Sequence, residues 1–460
     1  MRIDVARPLF DWSALEDSPT LASLHELLAS IPDAQLLDGL RQHRGRGRNE
    51  YPVTVLWGVV LLTVLLRHKD FESCLAELRR NEGLRRLIGI DDENRVPKKW
   101  NVSRFLAVLG GEPHRTRLAT VFDHMARRLG AAVPGLGQHL AGDATALKAQ
   151  KKKDAAEQRA ETADGLPQPS GGRKEYRDDA GNITEAYVWF GYKLHLLVDV
   201  KHEVALAYTV TAPSAGDGET LPVMLAKAQA NLPAGRIKTL AYDKAADTND
   251  VHELLATAKI KPLVQVRELW KSEPERMLPG HDGRSNIAHD EAGSIYCYDR
   301  ASTPMVRHPM SFTGYEASRG TLKYRCPAVH EGWPCPSESV CNAGRPFGKT
   351  VRVKCEIDLR RFPPIPRATK QFERRYKGRT AVERVNGRLK VFWGADDGNI
   401  VGARRFHAFV GVVMVAHLAF ATQLAAAPRR GGTLGKMRLS PIAARLRAST
   451  ATRRCEPMRK

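Results

Sequence analysis

AYVWFGYKLHLLVDVKHEVALAYTVT, residues Ala186–Thr211, is the stretch from which the fold class can be read. Its β-branched and aromatic residues fall in two runs, Ala186–Val200 and Glu203–Thr211, which meet at Lys201–His202. That pattern predicts a β-hairpin. On the N-terminal side, the apolar run Gln138–Leu147 predicts a strand that delivers Asp143 at its end. Between them, Lys151–Glu185 carries KKK, PQPSGG and DDAGN, which predicts a long mobile loop. On the C-terminal side, Gly218–Asn231 predicts a helix with Leu221, Val223, Leu225 and Ala228 facing inward. Arg236–Tyr242 then reads as a strand ending at Asp243, Asp247–Lys259 as a helix and Lys261–Val266 as a strand. Hairpin, helix, strand, helix, strand implies an α/β layer with a mixed sheet.

The flanks predict four regions: an N-terminal helical domain over 1–132, an α/β domain over 133–427, an insertion within it over 267–366, and a basic tail over 428–460. In the first region, Leu21–Leu40 reads as an amphipathic helix and Arg41–Asn49 as a basic loop. Tyr51–Arg67 reads as an apolar helix started by Pro52, an early position where the missing N–H costs nothing. Phe71–Arg80, Glu82–Ile88 and Arg104–Leu109, the last capped by Ser103, read as short helices. Such helices packed on one apolar helix suit a small DNA-binding bundle or a plain helical scaffold. The apolar run His407–Ala427 is about long enough to span a bilayer. It contains His417 and Gln423 and is rich in alanine, so a buried core helix is expected and membrane association is not. Net charge is +21 over 460 residues, which points to nucleic acid or another anionic surface. Met1–Arg7 leads into mixed polar sequence without an apolar run, so a cytoplasmic location is expected.

The chemistry concentrates in RRYKGRTAVERVNGRLK, Arg374–Lys390. On a helix at about 100° per residue, Tyr376, Arg379, Glu383 and Lys390 would project within roughly 60° of one another. Eight Lys or Arg lie between Lys370 and Lys390, against Glu373 and Glu383. A surface that basic wants a polyanion, and a carboxylate inside it suits a metal ligand beside a phosphodiester. A solvated Arg379–Glu383 pair is the simpler alternative. Asp143 and Asp243 at strand ends could meet at one sheet edge and join Glu383. Three hard oxygen ligands suit Mg²⁺ or Mn²⁺. Two such ions, about 4 Å apart, can activate a water or 3′-hydroxyl and stabilise a leaving oxygen. Asp178, Asp217, Asp247 and Asp250 compete for the same role, because a strand-end Asp often only caps the next helix. In the insertion, Cys326, His330, Cys335 and Cys341, with Cys355 further on, suit structural Zn²⁺ or stand as unliganded thiols.

Asp143 in GDAT, Asp243 in AYDKAADTND and the Tyr376–Arg379–Glu383–Lys390 segment resemble the DDE-class transposases of bacterial insertion sequences, in the group with a Y-R-E-K signature. WFGYKLHLLVD, ELRRNEGLRRLIGI, VSRFLAVLG and FPPIPRATKQFERRYKGRTAVERVNGRLK carry the resemblance across most of Tyr51–Ala427. It implies a ribonuclease-H-like mixed sheet and catalytic, metal-binding carboxylates at Asp143, Asp243 and Glu383. It also implies DNA contacts from Tyr376, Arg379 and Lys390, with Arg384 and Arg388 on the same basic segment. The implied reaction is hydrolysis at the inverted terminal repeats, then attack of the freed 3′-hydroxyl on target DNA, in a homodimer holding two ends. Lys244–Ala245–Ala246 departs from the small polar residue common after that Tyr-Asp pair. The alternatives are a transposase-derived DNA-binding regulator and a structure-specific nuclease of the same fold.

Overall fold

The described part of the chain opens with helices. A computed structural model describes residues 19–46, 50–150, 154–178, 182–279, 286–397 and 399–426. The basic tail expected over 428–460 lies outside them, as does part of the basic loop after Arg41. The single helix expected over Leu21–Leu40 is two helices, α1 (Pro19–Ala29) and α2 (Ala34–Arg44). Pro32 between them has no N–H and its ring crowds the preceding turn. Asp33, buried in the break, accepts a 2.6 Å hydrogen bond from the Trp57 indole. α3 (Val53–Leu65) begins directly after Pro52 and is buried along almost its whole length. The side chains of Asp70 and Asn81 cap α4 (Phe71–Arg80) and α5 (Glu82–Leu87), accepting from the N–H of Ser73 and Leu84. α6 (Lys99–Leu109) starts before Arg104, so Ser103 lies inside the helix and is not its cap. A further helix, α7 (His114–Ala132), follows, and Leu118, Val121, Phe122, Met125 and Leu129 give it a buried stripe at helical spacing.

The sheet then forms around β1 (His139–Lys148). Asp143 lies in the middle of this strand, not at its end. The loop expected over Lys151–Glu185 contains α8 (Ala155–Ala163), β2 (Ser170–Arg177) and the start of β3 (Ile183–Asp199). These elements are polar and largely exposed, so they carry little of the apolar periodicity by which sequence announces structure. β3 is long enough to pair twice: its first half runs antiparallel to β2 and its second half to β4 (Ala205–Thr211). α9 (Asp217–Ala230) turns Leu221, Met224, Leu225 and Ala228 inward, whereas Val223 is exposed. β5 (Thr239–Tyr242), α10 (Asn249–Thr257) and β6 (Lys261–Val264) complete the layer. β3 is antiparallel to β1 and β4, whereas β5 is parallel to β1 and β6. The order β4-β3-β1-β5-β6, antiparallel on one side of β1 and parallel on the other, is a ribonuclease-H-like mixed sheet.

The insertion folds around a core of its own, formed by residues such as Leu278, Ile287, Ile295, Leu322, Val353 and Phe362. One antiparallel sheet holds β7 (Glu275–Met277), β8 (Ile287–Asp290), β9 (Ile295–Asp299) and β10 (Val306–Pro309). A second holds β11 (Ser311–Glu316), β12 (Thr321–Arg325) and β13 (Thr350–Lys354), with the short helices α11 (Pro327–Glu331) and α12 (Glu338–Cys341) between the last two strands. The helix expected over Lys370–Val391 is interrupted. α13 (Lys370–Tyr376) gives way to a 3₁₀ turn at Lys377–Arg379, α14 (Thr380–Gly387) follows, and Arg388–Phe392 is wound as a π-helix. α15 (Ala403–Ala426) is long and apolar enough to cross a membrane, yet 78% of its apolar window is buried inside the protein. It packs against α3, α6 and α7, and Phe406 stacks on Tyr192 of β3 with centroids 4.4 Å apart. Its polar residue His417 accepts a 3.0 Å hydrogen bond from the Ala205 N–H. Burial lowers His417 to about 3, so the ring is neutral and suits that apolar site.

Candidate active site

Parallel pairing builds the site. β1 and β5 pair in the register Leu140 with Leu240 and Ala141 with Ala241, and two residues beyond each strand pair come Asp143 and Asp243. The sheet therefore sets two carboxylates side by side. A side chain at Gly142 would put its Cβ 2.1 Å from the Tyr242 ring, so only glycine lets these strands approach there. Asp217, the first residue of α9, supplies a third carboxylate. One ligand oxygen from each of Asp143, Asp217 and Asp243 lies within 4.8 Å of the others. Among the described residues, no other group of three His, Cys, Asp or Glu meets that spacing.

Burial pushes the Asp143 carboxyl up to about 6, and Asp243 adds to it, while the Ala144 N–H, Arg379 and Lys174 oppose the rise. Burial also raises Asp217, with Asp243 adding and Lys193 and Lys174 opposing. Carboxylates crowded and desolvated in this way call for a cation. Asp243 meanwhile accepts a 2.9 Å bond from the Ala245 N–H, so it caps the turn after β5 as well. Behind Asp217 lie Lys193, 3.8 Å away, and the fully buried His195, 3.6 Å away. Burial lowers His195 to about 4, so it is neutral, bridging the hydroxyls of Thr211 and Thr220 at 3.0 and 3.2 Å. It orders the base of the site and adds no charge.

Glu383 stands outside the group of three aspartates. It is half-exposed on α14 and paired at 2.7 Å with Arg379, the i,i+4 pair that its spacing allows. The intervening turn, and not one straight helix, positions the signature. Gly378 lies so close to Val200 that a Cβ there would sit 2.6 Å from Val200 Cγ1. The turn packs on β1 and β5 and α14 packs on β1 and β3, which carries the segment over the carboxylates. Tyr376 stacks on Phe372 at 5.5 Å, and burial raises its hydroxyl, with Asp243 and Glu383 adding to the effect. Lys390 reaches Asp396 at 3.1 Å and Thr145 Oγ1 at 3.4 Å. Arg384 and Arg388 both hold Glu203, at 2.5 and 2.6 Å, so they also pin the segment to the β3–β4 connection. An open cleft beside Asp243 is lined by Lys244, Gln265, Arg267 and Phe372. Of the competing aspartates, Asp247 is bound to Arg360, Arg367 and His252, and only Asp217 joins the site. Its position at the first turn of a helix after a Gly-containing loop was the available sequence signal. In the insertion, Asn side chains donate to Cys326 and Cys341, whereas His330 is exposed on α11.

The donor set fits a divalent ion: three carboxylates offer hard oxygen ligands and leave room for water and phosphate. The transposase DDE domain family model matches residues 134–419. No curated protein matches the chain. The cryo-EM structure of a piggyBac transposase synaptic complex with hairpin DNA is similar over 95% of this chain and 83% of that one, at 10% identity and a TM-score of 0.39. At that level the likeness bears no weight, and the match over the sheet and its carboxylates decides: the chain belongs to the DDE transposase family and is an enzyme of DNA transposition.

Proposed function

We propose that this transposase serves a bacterial insertion sequence of the Y-R-E-K group. It would act in the cytoplasm at the nucleoid, bind the inverted terminal repeats of its own element and, as a homodimer, hold two ends together. The spacing of Tyr376, Arg379, Glu383 and Lys390, all on one segment over the acidic site, supports the group assignment. Exposed basic residues of the N-terminal helices, such as Arg79, Arg80 and Lys99 beside the exposed Trp100, offer a second DNA contact.

The single observation that carries the reaction is the meeting of Asp143, Asp217 and Asp243 within 4.8 Å beneath the basic segment. Asp143, Asp243 and Glu383 are the carboxylates assigned to catalysis, with Asp217 beside them. Mg²⁺ or Mn²⁺, as a pair of ions, would activate the attacking water or 3′-hydroxyl and stabilise the leaving oxygen. The chain does the rest. Its carboxylates fix where the scissile phosphate must lie. Arg379 and Lys390 offer charge to the flanking phosphates, and Tyr376 offers a ring and a hydroxyl to the end nucleotides. A phosphate drawn to Arg379 competes with Glu383 for the guanidinium and frees that carboxylate to turn toward the site.

The test is cleavage of a plasmid carrying the DNA that flanks this gene, with Mn²⁺, by wild type, Asp143→Asn and Glu383→Gln. Breaks at the element ends by wild type, with at least a hundredfold (about 10²) loss in each variant and end binding retained, are expected. Cleavage without end preference would instead mean a nuclease. End binding without cleavage by any of the three would mean a DNA-binding descendant.

A further inference from the structure

The insertion gathers cysteines that transposition chemistry does not use. Cys297 lies on β9, Cys326 directly follows β12, Cys335 precedes α12 and Cys341 ends it. These are elements of different sheets, and hydrogen bonds bring them together. The Asn342 side chain donates to Cys326 Sγ at 3.7 Å, and Asn342 is the neighbour of Cys341. The Asn286 side chain donates to Cys341 Sγ at 4.0 Å and to the carbonyl of Tyr298, the neighbour of Cys297, at 2.7 Å. Ser337 beside Cys335 donates to Asp299 at the end of β9, which ties the Cys335 loop to the Cys297 strand. Each thiol is free of disulfide.

We propose that Cys297, Cys326, Cys335 and Cys341 form a four-thiolate site for structural Zn²⁺, which clamps the two sheets of the insertion together. Four soft sulfur ligands with no open position suit a closed structural zinc site. Cys297 stands where the sequence pattern put His330, which is exposed. Cys355 is excluded too, because it is buried in the insertion core beside Tyr315 and Tyr324. The surroundings suit an anionic cluster. The Lys349 ammonium holds Asn286 Oδ1 at 2.7 Å, its backbone N–H holds Asn342 Oδ1 at 2.7 Å, and its carbonyl accepts from the Cys326 N–H at 2.8 Å. One lysine thus holds both of the amides that face the sulfurs and fixes their N–H groups toward them, as hydrogen-bonded supports orient the surroundings of zinc ligands. The sulfurs are not drawn to ligand spacing as the three aspartates are, so the ion itself would close the set and displace the thiol protons.

The experiment is metal analysis of the full chain purified without chelator, followed by exchange with Co²⁺. About one zinc per chain and a thiolate-to-cobalt charge-transfer band are expected. Cys297→Ser and Cys335→Ser should lose most of the zinc, while His330→Ala, Cys355→Ala and the active-site variant Asp143→Asn should keep it. Absence of both zinc and the cobalt band in wild type would overturn the proposal, and so would zinc that is lost in His330→Ala but kept in Cys297→Ser. If the Cys→Ser variants fail to fold, the wild-type cobalt spectrum together with His330→Ala still decides.

Discussion

Asp217 opens α9 with its carboxylate beside Asp143 and Asp243, while Glu383 is engaged by Arg379. In the DNA-free protein, therefore, Asp217 and not Glu383 should hold the divalent ion with the two strand aspartates. Titration with Mn²⁺, followed by electron paramagnetic resonance, should show affinity at least about tenfold weaker in Asp217→Asn, with Glu383→Gln within about twofold of wild type. Equal affinity in wild type and Asp217→Asn would remove Asp217 from the site. The same crowding makes a prediction about stability. Asp143 rises from an ordinary carboxyl value of 3.8 to about 6 in the folded protein. A raised folded value means that the native state prefers the protonated acid. The stability this brings is present below about pH 4 and lost as pH rises through about 6. Asp143→Asn removes the buried charge, so the metal-free variant should be more stable than wild type at pH 8 by about 1–3 kcal/mol. The two should converge near pH 4, as read from thermal melts in chelator. A variant that gains stability as it loses cleavage marks a residue held in place for chemistry. Asp143 and Asp243 were legible because each interrupts or ends an apolar run. Asp217 was only one of several polar candidates, because what selects it is the turn from β4 into α9, a contact between distant parts of the chain.

The hairpin of β3 and β4, the alternation that follows it and the placement of Asp243 were readable because those strands are buried and apolar. β2 was not, because SGGRKEYR is a polar strand on the sheet's edge with no buried face to pattern it. The signature segment shows the other limit. Its spacing suits one straight helix, yet the chain breaks it with a 3₁₀ turn so that Gly378 can sit against Val200. Sequence periodicity cannot announce a break that a neighbouring strand dictates. Gly378→Ala should force the turn away from β3, at a cost of about 1–3 kcal/mol from overpacking. Cleavage should fall with it, because Arg379 ends that turn and Glu383 lies on the helix α14 that follows it. Val200→Ala in the same chain removes the obstructing methyl and should recover much of both losses. A pair of substitutions whose effects simply add would show that the Gly378–Val200 contact is not what sets the turn.

One hydrophobic core runs from Leu21 in α1 through the sheet to Ala421 in α15, so the N-terminal helices and the catalytic sheet are packed together around α15. The insertion has a separate core, and its attachment is polar. Asp247, fully buried after the turn that follows Asp243, accepts from Arg360 Nε at 2.8 Å, Arg367 Nη2 at 3.1 Å, His252 Nε2 at 2.9 Å and the Arg267 N–H at 2.8 Å. Arg367 also donates to the carbonyls of Val264 at the end of β6 and Ala292 in the insertion, at 2.8 and 3.3 Å. Glu291 adds a second anchor by accepting from the N–H groups of Leu269 and Trp270 at 2.8 and 2.9 Å. No apolar pattern could reveal this junction, since its members are single charged residues separated by up to 120 positions. Desolvation would raise the Asp247 carboxyl, but His252, the Arg267 N–H and the two guanidinium groups outweigh it and hold the group below its usual range. Its contribution to stability is therefore present at neutral pH and lost only as pH falls through that lowered value. Asp247→Asn keeps the volume and removes the charge that Arg360 and Arg367 share, leaving Arg360 only its 3.9 Å pair with Glu291, which costs about 3–5 kcal/mol. Because the insertion keeps its own core, the loss should appear as local opening. Hydrogen exchange should quicken across Arg267–Asp299 and around Arg360–Arg367, while α15 and β1 keep their protection. Uniform quickening across the whole chain would mean that the junction stabilises the entire fold and that the insertion does not move as a unit.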